Sequence, residues 1–208
     1  MSDAQDHPQI YLISPSEFDL SRYPAQLAAC LDSTEVACVR LALGSTDEAR
    51  IAKAADALRE ITHERDVALV IDSHIQLVER LGLDGVHLSD GSRSVRQVRR
   101  DLGDDAIVGC FCGNSRHDGM TAGELGADYV SFGPVGETPL GDGRRADLEL
   151  FEWWSLMIEV PVVAEGALDA DLIRKLSPHT DFFGIGDEIW SADNPAAALG
   201  DLRRAMLG

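Results

Sequence analysis

Gly126-Ala127-Asp128-Tyr129-Val130-Ser131-Phe132-Gly133-Pro134-Val135 is the stretch whose reading decides the fold. A glycine suited to a helix end, a short apolar strand and a glycine-proline turn follow one another without a gap. That is the grammar of repeated strand-helix units, whose strand ends carry the chemistry. Working outward, similar β-rich runs recur at residues 10–13, 36–41, 68–72, 85–88, 106–110, 162–164 and 182–185. With 129–132 they make eight strands.

Helical spacing fills the intervals. In 46–64, Ile51, Ala54, Ala55 and Leu58 mark one face and Asp47, Glu48, Arg50 and Lys53 another. In 92–102, Val95, Val98 and Leu102 point inward and four arginines outward. Pro195 suits the first turn of a final helix that contains Ala198, Leu199, Leu202 and Met206. Several strands are almost wholly apolar, as in a parallel sheet covered on both faces. No GxGxxG follows the first strand and no GxxxxGK[ST] occurs, so a single (β/α)8 TIM barrel is expected rather than a Rossmann or P-loop fold. No linker or low-complexity tract divides the chain, so 1–208 reads as one domain, with 1–8 a flexible N-terminal tail.

The chain has 208 residues, 45% of them hydrophobic, enough for a full core. Thirty-six acidic residues against eighteen Lys plus Arg give a formal charge of -18. Such a charge repels nucleic acid and anionic membrane surfaces, so neither is expected as a partner, and most of it belongs to a solvated surface. Residues 1–7 show neither a basic leader nor an apolar run, and no apolar segment is long enough for a membrane span. Cys30, Cys38, Cys110 and Cys112 lack CxxC spacing, which argues against a disulfide framework or a structural zinc site and for a reduced, cytoplasmic protein.

In a barrel the ligand sits at the carboxyl ends of the strands. The candidate site residues are therefore Ser14; Arg40 and Ala42; Asp72, Ser73 and His74; His87, Ser89 and Asp90; 110–114; Gly133 and Pro134; Glu165 and Gly166; and Gly186, Asp187 and Glu188. His87, inside an apolar run, reads either as an acid-base group at the mouth or as a hydrogen-bonded core histidine. Asp72 and Ser73 end a hydrophobic strand, where they either serve a ligand or metal or cap the helix before Ile75. Arg40 either holds an anionic ligand group or pairs with Asp72 on the next strand. Alternation sends the Cys110 and Cys112 sulfurs to one side, as apolar packing or as a soft-metal or redox pair. Arg144 and Arg145, beside the glycine-rich 141–143, belong either to a lid over an anion or to a solvated loop. Trp153 and Trp154 pack their helix on the barrel or bury a subunit contact.

Gly85-Val86-His87-Leu88 and 126–135, together with 160–168 and 181–190, resemble the thiamine phosphate synthase and thiazole tautomerase family across about residues 10–189. The resemblance implies a TIM barrel that joins a hydroxymethylpyrimidine pyrophosphate to a thiazole phosphate, releasing pyrophosphate with the help of Mg2+. It implies Asp72 as a metal ligand, with Asp90 as a nearby substitute for the second, and Gly166, Ala167, Gly186 and Asp187 as the phosphate-binding turn. Cys112 falls near the family's serine after the fifth strand and joins His87 and Asp72 as a catalytic candidate. Arg40, Ser73, His74, Gly133, Pro134, Arg144 and Arg145 are the substrate-binding candidates.

This sequence departs from the family pattern at several positions. The family's Gln-x-Arg-x-Lys set falls on Arg40, Ala42 and Gly44, its Asn-Asp pair on Asp72-Ser73, and its second metal-binding Asp on Ser92. Its lysine after the sixth strand falls near Gly141. The expected function is a divergent synthase of thiamine biosynthesis acting on small molecules. The alternative is a paralogue without synthase activity, either tautomerase-like or a non-catalytic small-ligand barrel. A homodimer is the default assembly.

Overall fold

The computed structural model describes residues 7–138 and 143–208. Eight strands form one closed parallel barrel in sequence order: β1 (Gln9–Ile13), β2 (Cys38–Leu41), β3 (Ala68–Asp72), β4 (Gly85–Leu88), β5 (Ile107–Phe111), β6 (Tyr129–Phe132), β7 (Val162–Glu165) and β8 (Phe182–Ile185). Around it lie α1 (Tyr23–Ser33), α2 (Glu48–His63), α3 (Ile75–Leu81), α4 (Val95–Leu102), α5 (Arg116–Glu124), α6 (Leu148–Met157), α7 (Ala170–Leu176), the short α8 (Asp187–Trp190) and α9 (Pro195–Leu207). The TIM barrel read from the sequence is the fold observed. The strand edges at β1, β2, β5 and β7 differ from the sequence reading by one or two residues. The expected tail over 1–8 falls mostly outside the described residues; Pro8 is buried, and its carbonyl accepts from Arg203 at 3.0 Å.

Within the apolar strands, parity divides the work. Ile10, Leu12, Val39, Leu41, Leu69, Ile71, Val86 and Val108 belong to the core shared with the helices, whereas Tyr11, Cys38, Val70, Tyr129 and Val163 form a smaller core of their own. The first layer is aliphatic and generic. The second contains two tyrosines, and it needs glycine nearby: a Cβ on Gly109 would lie 2.0 Å from the Tyr129 ring.

The opposite end of the barrel is closed by a repeated device. Asp84, Asp128 and Asp181, each just before β4, β6 or β8, accept the N–H of Leu69 (2.7 Å), Val108 (2.7 Å) and Val162 (2.8 Å) on the preceding strand. A carboxylate thus satisfies a strand-start donor that the ladder leaves open. Arg99 of α4 reaches back to Asp128 and to the carbonyls of Gly126 and Ala106, so it is not one of four outward arginines. Some of the chain's acidity is likewise structural. Asp47, Asp147 and Asp169 cap α2, α6 and α7, each worth about 1 kcal/mol.

Helix α6 docks through Trp154, whose indole N–H donates to the Val160 carbonyl at 2.8 Å and whose ring meets Phe132 edge-on at 5.0 Å. Such an aromatic pair adds about 1 kcal/mol beyond its burial. Gly119 on α5 makes room, since its Cβ would lie 2.8 Å from the indole. The packing role read for Trp154 is the one observed.

Candidate active site

Arg40, near the end of β2, is buried inside the mouth of the barrel. Its Nη1 donates to Glu165 Oε2 and to His87 Nε2, both at 2.9 Å, and its Nε lies 3.4 Å from Asp72 Oδ1. Because a guanidinium only donates, His87 Nε2 must accept and its Nδ1 carry the proton. Nδ1 then donates to the Tyr129 hydroxyl at 3.0 Å, which lies 2.6 Å from the Tyr11 hydroxyl. One chain of hydrogen bonds therefore runs from the mouth into the barrel, and its direction follows from the arginine.

This network fixes protonation states. Burial works against the Arg40 cation, but Glu165, Tyr11, Asp72 and Tyr129 together outweigh it and hold the pKa above its usual value. Burial, and then Arg40, push the His87 pKa well down, so the ring is neutral. Burial raises both tyrosines well above their ordinary range. Both ring nitrogens of His87 are engaged, which is the geometry of the second of its two readings, a hydrogen-bonded core histidine. Of the two uses read for Arg40, pairing is the one seen, with Glu165 as well as Asp72.

The loops after β3 and β4 lie side by side, joined by Ser73 and Ser89 with Oγ atoms 3.2 Å apart. Burial pushes the Asp72 carboxyl up to about 6 despite Arg40. Its Oδ1 is buried without a hydrogen-bond donor. Asp72 and Ser73 do not cap α3. His74 is the cap residue, and its Nδ1 donates to the Asp72 carbonyl at 2.6 Å. Asp90 accepts from Ser94 at 2.6 Å and lines a recess with Ser89, Arg93, Cys112 and Asp118. Among the described residues, no group of three or more His, Cys, Asp or Glu is placed to hold a metal by itself.

Across the mouth, Gly133-Pro134 and the loops after β7 and β8 surround a cavity of about 640 Å³ lined by Ile13, Ser14, Arg40, Ala42, Phe111 and Thr138, among others. Glycine is required at 133, where a Cβ would sit 2.4 Å from the Glu165 carbonyl oxygen. Gly166 (φ 90°) and Ala167 (φ 54°) both adopt left-handed backbone, so the turn keeps a glycine-like shape although its second residue is alanine. Glu188 Oε2 accepts from Gly186 N–H at 2.7 Å, and Oε1 from Leu168 N–H at 3.0 Å. Asp187, read with Gly166, Ala167 and Gly186 as the phosphate-binding turn, is exposed, and Glu188 is the carboxylate that accepts from the turn's backbone.

Cys110 and Cys112 place their sulfurs 3.6 Å apart, as the alternation required. The contact with Cys110, then burial, push the Cys112 thiol far up. Arg145 lies 3.6 Å from Glu137, and Arg144 and Arg145 border a recess with Pro134 and Thr138. The expected lid position Gly141 lies outside the described residues.

Two contributors were missed from sequence, Tyr11 and Tyr129. Their signal was parity, since each sits at an inward position of a strand whose alternate residues are aliphatic.

The family described as Thiamine monophosphate synthase matches residues 10–181. The chain is 40% identical over 203 residues to the thiamine-phosphate synthase of Rhodospirillum centenum, covering 96% of this chain and 98% of that one. It is 36% identical over 203 residues to the thiamine-phosphate synthase of Erythrobacter litoralis, covering 95% of each. Among solved structures, the thiamine phosphate pyrophosphorylase of Pyrococcus furiosus superposes with a TM-score of 0.82 over 96% of this chain and 95% of that one; at 21% identity this likeness bears on the fold alone. With the barrel, its mouth and these relatives together, the chain belongs to the thiamine monophosphate synthase family.

Proposed function

We propose that this barrel is a thiamine-phosphate-synthase-like transferase that joins a hydroxymethylpyrimidine pyrophosphate to a thiazole phosphate. The observation that carries the reading is the 40% identity over nearly the whole chain to a protein named for that activity. In the reaction a thiazole ring nitrogen attacks the pyrimidine methylene carbon. A C–N bond forms, the C–O bond to pyrophosphate breaks, and the electron pair leaves with pyrophosphate. No proton has to be moved at the reacting carbon, which suits a mouth whose histidine is sealed in a network.

Asp72 and Asp90 are the proposed ligands of Mg2+, which binds through one or two carboxylates plus substrate phosphate oxygens. The donor chemistry fits in that both are carboxylates in neighbouring strand-end loops, although Asp72 Oδ1 itself faces Arg40 Nε at 3.4 Å. Bound there, the ion would neutralise charge on the leaving pyrophosphate. Ser73 and His74 beside Asp72, and Arg144 and Arg145 at the recess with Pro134 and Thr138, are the proposed contacts for the pyrimidine pyrophosphate. Arg40, held by Glu165 and His87, is a fixed positive charge at the floor of the mouth. Pro134, which follows Gly133, is part of the proposed wall against which the thiazole packs.

Neither alternative gains support: a tautomerase built on His87 would need a ring nitrogen that is already engaged. No helix among the described residues is long and apolar enough to cross a membrane. Action in the cytoplasm, with four free thiols, is part of the reading. So is a homodimer, for which the exposed Leu156 and Met157 of α6 are the apolar surface a second copy would cover.

The test is pyrophosphate release from the pyrimidine pyrophosphate with Mg2+ and the thiazole phosphate. Release that stops on chelation is expected. No release would overturn the proposal.

A further inference from the structure

Two buried atoms in the mouth face each other without closing. Arg40 Nε and Asp72 Oδ1 are each buried without a hydrogen-bond partner, and they lie 3.4 Å apart, beyond the usual range of an N–H···O bond. A guanidinium and a carboxylate left to themselves close into a bidentate pair, two N–H groups meeting two oxygens. Here the approach stops at one long contact. The restraint lies at the other end of the guanidinium, where both of its hydrogen bonds leave from Nη1, to Glu165 Oε2 and to His87 Nε2, each at 2.9 Å.

Both anchors are themselves buried. His87 is fixed in turn by the Tyr129 hydroxyl at 3.0 Å, and that hydroxyl by Tyr11 at 2.6 Å. An arginine that gave up Nη1 to reach Asp72 would leave His87 Nε2 and a Glu165 oxygen unpaired in the interior, which is costly. Arg40 therefore stays where it is. Were it to close on Asp72, it would take the oxygens that a metal ion needs. Among the described residues no group of three or more metal-binding side chains could replace that carboxylate. Arg40 stands where the family pattern has a glutamine, so this chain sets a cation beside its own proposed metal ligand and needs a restraint that an uncharged residue would not.

We infer that His87 and Glu165 are positioning residues that hold Arg40 off Asp72, so that this carboxylate stays open to Mg2+. The identity of the ion rests on the synthase reading above. Tyr129 belongs to the same tether and acts through His87.

The experiment titrates Mg2+-pyrophosphate into the full-length protein by calorimetry. Loss of an outer partner of a metal ligand weakens binding by about 10- to 100-fold, so His87→Leu, which replaces a neutral ring, should weaken it at least about tenfold. His87→Gln, which keeps an acceptor for Nη1, should stay within about threefold of wild type. Asp72→Asn added to His87→Leu should cost less than about threefold more, because the carboxylate is already taken. Pyrophosphate release by His87→Leu should need at least about tenfold more Mg2+, since excess ion competes Arg40 away. Far-UV circular dichroism and melting check folding; if His87→Leu does not fold, Tyr129→Phe carries the test, with a weakening of about threefold or more. Binding that weakens in Asp72→Asn but in neither His87→Leu nor Tyr129→Phe overturns the inference and leaves the synthase reading intact. That holds even if Glu165→Ala weakens binding, because Glu165 would then act through its charge alone. Full additivity of Asp72→Asn and His87→Leu also overturns it. The expected binding pattern without pyrophosphate release from the two substrates supports the tether and overturns the synthase reading. Binding that Asp72→Asn leaves unchanged overturns the inference together with the metal assignment.

Discussion

The two sides of the barrel mouth handle negative charge in opposite ways. Toward β2, β3 and β7, Glu165 and Asp72 share one buried arginine, whose remaining geometry is fixed by His87 and the tyrosines beneath it. At the β7–β8 rim, Glu188 is held by two backbone N–H groups. In the first region a cation sets the arrangement and the carboxylates follow. In the second the backbone sets it and the carboxylate follows. Similar side chains are therefore fixed by different partners: a guanidinium holds the first pair, and backbone N–H groups hold the second.

The comparison breaks most severely if the arginine goes. Arg40→Met leaves Glu165 and Asp72 without their cation, and loss of one partner of a buried ion pair costs about 3–5 kcal/mol. Urea unfolding should register that loss, and adding Glu165→Gln and Asp72→Asn should recover most of it. If the triple variant were no more stable than the single one, the uncompensated carboxylates would not be the cause. Next in size is Gly109→Ala, whose methyl would collide with the Tyr129 ring and break the hydrogen-bond chain from below. A cost of about 1–3 kcal/mol is expected from overpacking. A melting temperature unchanged from wild type would mean that the inner core is looser than described.

A pH series separates the floor from the rim more gently. The His87 pKa is lowered in the folded protein, so its contribution is fully present above the unfolded value near 6.5 and is lost as pH falls below it, because the unfolded chain then takes up a proton that the folded chain refuses. Asp72, pushed up to about 6, works in the opposite sense: its contribution is present at low pH and lost as pH rises through about 6. The clean readout is therefore the stability of wild type minus that of His87→Gln. That difference should decline between pH 7 and 5 with a slope approaching about 1.4 kcal/mol per pH unit, and a flat difference would contradict a neutral, buried His87. The smallest effect belongs to the rim. Ala167→Gly relieves a left-handed alanine but adds freedom to the unfolded chain, so melting should shift by no more than about 1 kcal/mol in either direction.

The barrel was legible in the sequence because its outer layer is uniform. Ile10, Leu12, Val39, Leu41, Leu69 and Ile71 announce covered parallel strands whatever faces them. The floor was half legible. Arg40 and His87 stood out as polar residues in apolar runs, but whether each faced a ligand or a neighbour depended on strand register, which aligns Asp72 with His87 and brings Glu165 across the barrel. Asp72 read equally well as a helix cap, and only the path of the chain through His74 decides otherwise. Glu188 was seen in sequence only as part of an acidic turn. Its partners lie 2 and 20 residues away, and no local pattern encodes the longer contact.

The division of the mouth into a side for pyrophosphate and a side for the acceptor is the central claim, and calorimetric titration of Mg2+-pyrophosphate tests it most directly. The account predicts binding to the wild type that weakens about tenfold or more in Asp72→Asn and in Asp90→Asn but changes less than about threefold in Glu188→Ser. Binding that ignores Asp72 and Asp90 and strengthens only when Glu188 is removed would place pyrophosphate on the β7–β8 side and contradict it.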